Sequence, residues 1–179
     1  TNVGGLYAFN ISDNSALTGF DPIYLPNAAQ DESAGYSLGH SGGKEVVVAT
    51  SARGVGTAYL YTLPSTTPTQ LTPNGWSGTG SATFTVAKET GSGSITHTYS
   101  GFGSRNAISP NGNYVAIGCY SACQVQIFAG KAFGSYSKGD HIRTIQLTNN
   151  EHSITSSLNS IKLVACNDTH VMTGQGSYY

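Results

Sequence analysis

Charge is what this sequence has least of. Its 179 residues hold 8 Lys and Arg against 9 Asp and Glu, a charged fraction of 9% and a net charge of −1. An ordinary soluble domain carries about 25% charged residues. Without a Lys/Arg stripe nothing neutralises a phosphate backbone, so no nucleic-acid partner is expected. The nine acidic residues are not clustered in sequence; glycoside hydrolysis needs two at a defined separation, and whether Asp21, Glu45 or Asp168 meet is a question for the fold. No apolar run reaches the roughly 18 residues of a membrane-crossing helix. Residues 1–9 lack a basic stretch followed by an apolar core, so no signal peptide is read there, and an exported form is expected to have lost its leader. The histidines and cysteines show no ligand spacing, and no Walker or dinucleotide fingerprint occurs. Neither a metal nor a cofactor is expected.

What is present points to strands and turns. There are 23 Gly and 11 Tyr, with Ser, Thr and Asn crowding the turns. That composition favours short strands, tight turns and little helix, an all-β fold. Few lysines and many Ser, Thr, Gly and Tyr residues suit an extracellular or virion setting. Two glycosylation sequons agree, at Asn10 and Asn167, although chance occurrence is an equal reading in a chain this rich in Ser, Thr and Asn. Cys119 and Cys123 flank Tyr120-Ser121-Ala122. A three-residue hairpin loop would set them opposite each other, within disulfide reach. The alternative is two reduced, half-buried thiols, and the redox compartment decides between them. Cys166 is left over, for burial or for a bond to another chain.

A strand-turn-strand pattern recurs at residues 37–61, 103–128 and 157–174. Each copy has an alternating segment, a polar turn and a dense apolar run. Gly43 aligns with Gly112, and Val115 with Val171, a recurrence of roughly 55 to 70 residues that signals stacked supersecondary units. The runs around Val46-Val47-Val48 and Val115-Ala116-Ile117 are apolar on consecutive positions, as strands covered on both faces require. The first two copies add a third strand ending in Tyr61 or Phe128. Pro110-Asn111-Gly112 is the clearest turn. Strands are also expected at 5–11, at 17–26 with a bend at Pro22, at 141–147, and as a hairpin over 81–87 and 94–99. The hairpin has no counterpart in the second copy and reads as an insertion or an extra pair of outer strands.

At these residues the chain resembles β-propeller blades of the FG-GAP type, with a looser similarity to WD40-like blades. Phe102-Gly103 stands where that family has Phe-Gly. Ala49-Thr50-Ser51 and Gly118-Cys119-Tyr120 stand where it has Gly-Ala-Pro. Residues 56–61, GTAYLY, look like its closing strand. The resemblance implies stacked, antiparallel, four-stranded blades. The units run over about 35–100, 101–148 and 158–179, the last completed by 1–26 unless the chain is a segment of a longer polypeptide. The family's Asp-rich calcium loop is missing from both full copies, so cation binding is not implied. Propellers have about four to eight blades, and this chain supplies about three. Two chains assembling, further blades elsewhere, or a smaller variant are the alternatives.

The resemblance also implies that the loops at 51–56, 119–123 and 148–157 share a rim, which makes Arg53 and Tyr120 the first contact candidates. Trp76, the single tryptophan, suits sugar stacking or a partner anchor, against plain packing over its Pro-rich loop. Ser37 sits in a Gly-x-Ser-x-Gly string, but no strand-to-helix turn surrounds it, and Asp140-His141 are adjacent residues that a strand points to opposite faces. No catalytic residue is therefore assigned. The expected function is non-catalytic: recognition or structural assembly through rim loops, with a protein partner or self-assembly. The alternatives are a lectin-like carbohydrate-binding module and a propeller-type hydrolase.

Overall fold

The computed structural model describes residues 5–6, 9, 11–13, 15–16, 23–24, 37–41, 45–50, 57–63, 65, 67–72, 83–87, 94–98, 102–119, 124–146 and 160–176. Among them every regular element is a strand. β1 (Gly5–Leu6) pairs with β2 (Ile23–Tyr24). A four-stranded sheet follows, in the order β3 (Ser37–His40), β4 (Glu45–Thr50), β5 (Thr57–Thr62) and β6 (Thr69–Gln70). β7 (Thr83–Ala87) and β8 (Ser94–Thr98) form a hairpin of their own. A second four-stranded sheet runs β9 (Phe102–Ile108), β10 (Tyr114–Cys119), β11 (Gln124–Ala129) and β12 (His141–Gln146). The last pair is β13 (Ser160–Cys166) with β14 (Val171–Gly176). All pairings are antiparallel.

The sheets stack as blades. β9 packs against β3 and β4 of the preceding sheet and against β13 of the following one, and β10 also reaches β13. The first strands β3, β9 and β13 are thus neighbours around one axis. This arrangement explains the apolar run in β10. On one face Val115, Ile117 and Cys119, with Ile108 and Phe128, meet Ala58, Leu60 and Leu71 of the preceding blade. On the other face Ala116, Val125 and Ile127 meet Val164 of β13. Each Leu, Ile or Phe so buried contributes about 1.5–3 kcal/mol. The rings of Phe102 and Phe128 meet edge to face at 6.1 Å between centroids. The outer parts of the two blades are linked as well, because Lys138 Nζ donates to Thr62 Oγ1 at 2.8 Å.

The β9–β10 turn forms as its residues dictate. Gly112 takes φ 78°, a left-handed value that favours glycine. Asn111 Oδ1 accepts from the Asn113 N–H at 2.9 Å, and Ser109 Oγ accepts from the Tyr114 N–H at 3.0 Å. Gly130 passes so close to this turn that a Cβ there would run into the Gly112 carbonyl.

Two expectations are corrected. The strand read over 5–11 does not reach its end: among the described residues Gly5–Leu6 are strand and Phe9 makes an isolated bridge, but Ile11 lies in a turn and is fully exposed. Of the strand read over 17–26, Ile23–Tyr24 is a strand and the other residues lie outside the described ones. The register opposes Cys119 to Gln124 rather than to Cys123, so the connection is longer than the expected three-residue loop. Cys119 is a free, fully buried thiol within the core facing the preceding blade, and no disulfide involves it.

Candidate functional site

Most sequence candidates fall outside the described residues: Arg53, Trp76, Tyr120, Cys123 and Asn10, together with the rim loops at 51–56, 120–123 and 148–157. Asn167 is described. It is exposed and caps the β13–β14 turn, where its Oδ1 accepts from the Thr169 N–H at 2.8 Å, Thr169 Oγ1 at 3.0 Å and the His170 N–H at 2.7 Å. His170 is exposed, directly before β14.

Asp140 and His141 do not act together. Asp140 Oδ2 accepts from the Ser137 N–H at 2.7 Å. His141 turns instead into the interior, where a polar cluster sits on the face of β11 and β12 that meets the preceding blade. Gln126 Oε1 accepts from Thr144 Oγ1 at 2.7 Å and from His141 Nε2 at 2.8 Å, and Gln126 Nε2 donates to Gln124 Oε1 at 3.0 Å. Gln124 and Gln126 are both 0% exposed. Burial holds His141 below its ordinary value, partly offset by a hydrogen bond with the Arg143 backbone. The cluster is a satisfied interior network with no nucleophile poised in it. Burial pushes the Cys119 thiol upward, so it is not a reactive thiolate. Among the described residues no three His, Cys, Asp or Glu side chains gather to hold a metal.

The concave feature lies on the opposite face of the same blade. A groove of about 320 Å³ runs between β11–β12 and the β13–β14 turn. Ile127, Ile142, Ile145 and Val171 give it an aliphatic floor, and Tyr114 closes one side. Arg143, Asp168 and His170 stand around it. Asp168 Oδ1 is buried without a hydrogen-bond partner, and so is Thr173 Oγ1 on β14. The groove exists because the β13–β14 sheet has two strands where the other two blades have four. β5 of the preceding blade, with Leu71, covers one face of the β9–β12 blade. The corresponding cover on the other face stops at β14. On the far side of that last sheet Met172 is 69% exposed.

No sequence signal marked this groove, since it lies where the described residues add no third strand to β13–β14. Alternation along β12 would group His141 with Ile145, but a register shift between Ile127 and Phe128 sets His141 and Thr144 on one face and leaves Ile142 and Ile145 in the groove lining.

No family model matches the chain, and no curated protein matches it. Among solved structures it is similar to one described as the Dos1 propeller, with a TM-score of 0.51 and 14% identity. The match covers 98% of this chain and 35% of that one, so the chain spans about a third of the length of the structure it matches. At this identity the similarity speaks for fold alone. A propeller fold is supported, and the finer FG-GAP or WD40-like assignment is not. Stacked antiparallel blades around shared first strands, together with that structural neighbour, make the chain an all-β, propeller-type fold.

Proposed function

We propose that the chain is a non-catalytic recognition or assembly protein, and that the groove beside β14 is its protein-contact surface. One observation carries the reading. An aliphatic floor lies open next to a strand whose outer edge has no partner among the described residues. Such an edge offers backbone donors and acceptors in register, and the floor offers pockets for alternate side chains, which is how sheets take up an added strand. Asp168, in the groove lining, has a buried oxygen without a partner, an acceptor that an incoming segment can satisfy after small shifts. The proposed setting is outside the cytosol, on a cell or virion surface. A charged fraction of 9% and an exposed sequon at Asn167 support it.

The test is selection from a phage-displayed peptide library on the full chain, with Ile145→Asp as the counter-selection. Clones that bind the parent and lose at least about 30-fold in affinity on the variant are the expected result. No enrichment over an unrelated protein, or clones indifferent to Ile145→Asp, would sink the reading.

A further inference from the structure

Asn167 fixes the chemistry of its neighbours in the groove wall. Its Oδ1 accepts from the Thr169 and His170 backbone N–H groups, so that atom is the amide oxygen and only accepts. The Thr169 hydroxyl lies 3.0 Å from the same oxygen and directs its single hydrogen there. It also lies 2.7 Å from His170 Nδ1. Both bonds hold together only if His170 donates from Nδ1 to the hydroxyl oxygen. In the neutral ring Nε2 is then the nitrogen with the lone pair, an acceptor. The β13–β14 turn thus brings two acceptors to the groove lining, the His170 ring and the Asp168 carboxylate.

Of the two, Asp168 is the one the fold leaves unanswered. Its Oδ1 is buried and has no hydrogen-bond partner. A carboxylate oxygen shut away from water without a donor destabilises the chain that carries it. Asparagine would fill the same space without the charge. The last torsion of a carboxylate is soft, so a small turn brings this oxygen to a donor that enters the groove.

The rest of the lining limits what that donor is attached to. Ile127, Ile142, Ile145 and Val171 are aliphatic, so the body beside the donor is apolar. Arg143 is exposed on the β12 side and adds a positive charge to the rim. Like charges brought together across an interface are disfavoured, so one cation fits and a basic run does not. A volume of about 320 Å³ lies at the small end of ligand clefts and suits a few side chains of an extended segment.

We infer that the groove takes an aliphatic peptide segment with a single basic side chain, Lys or Arg, whose charged head pairs with Asp168 and has the His170 ring as a second acceptor. The inference rests on the groove being a protein-docking surface and names the chemistry of the partner.

Peptides are selected on the full chain as for the docking surface, and the Ile145-dependent clones are sequenced and synthesised. Each is expected to hold one Lys or Arg beside aliphatic residues. On the Asp168→Asn chain they are expected to bind about 10-fold more weakly, because a charge-assisted hydrogen bond is lost. Replacing the basic residue of the peptide by glutamine is expected to lose the same factor on the parent chain and little more on Asp168→Asn, the signature of a direct pair. The melting temperature of the unbound Asp168→Asn chain is expected to stay level or rise, since the replaced oxygen has no partner. A fall in melting temperature assigns Asp168 to the fold and overturns the inference. Ile145-dependent clones that lack a basic residue, or whose basic residue is indifferent to Asp168→Asn, overturn it and leave the docking surface standing. If no clone is enriched, both fall.

Discussion

His141 Nε2 and Gln126 Oε1 lie 2.8 Å apart, and the direction of that bond is fixed. An amide oxygen only accepts, so the ring nitrogen carries the hydrogen. The same oxygen takes the Thr144 hydroxyl, and the Gln126 amide group is committed to Gln124. One buried glutamine therefore joins β11 to β12 inside an otherwise apolar interface.

Removing it should be costly. Gln126→Ala removes one hydrogen bond each from His141, Thr144 and Gln124 and leaves a space in the interior, and a loss of about 2–4 kcal/mol is expected. The measurement is a urea unfolding curve with its midpoint lowered and its slope unchanged. Tyr61 offers the opposite case. Its hydroxyl is already buried without a partner, and desolvation pushes its phenol up to about 12. Tyr61→Phe is expected to leave stability unchanged or raise it by about 1 kcal/mol.

The His141 site also sets a pH dependence. Its folded value lies below its ordinary 6.5. Between the two values the unfolded chain binds more protons, so stability rises with pH there. The contribution is fully present above about pH 6.5 and is lost as pH falls through the folded value. His141→Gln should flatten that slope of melting temperature against pH. An equally steep slope in the variant would place the titration elsewhere.

Cys119 and Cys166 should both resist alkylation in the native state at pH 8. Burial drives the Cys119 thiol far upward, and burial with the nearby Asp168 charge takes Cys166 to about 11. After denaturation without reductant, intact mass should show Cys119 labelled. An unlabelled Cys119 would restore the bridge to Cys123.

Gly130→Ala should destabilise by about 2 kcal/mol or more, because the added carbon meets the backbone carbonyl of Gly112 and not a side chain that can swing away. Gly134→Ala meets open space, so only its left-handed backbone, at φ 55°, opposes the change. That costs about 1 kcal/mol. Calorimetry on the pair separates contact from conformation.

Much of the blade pattern was legible in particular residues. The consecutive apolar positions at Val115-Ala116-Ile117 announced a strand covered on both faces, and Asn111-Gly112 announced the turn that feeds it. The alternation in Gln124-Val125-Gln126-Ile127 was ambiguous. Polar residues at every second position normally mark a solvent face, yet both glutamines are fully buried. Their partners His141 and Thr144 lie well along the chain, and no local pattern reveals such a meeting. The Cys119 register was missed because loop length was inferred from the cysteines themselves. The backbone ladder, which carries Gln124 opposite Cys119, sets it instead.

Among the described residues β14 keeps one edge without a paired strand, and Val171–Gly176 carries neither a Lys nor a Pro to blunt it.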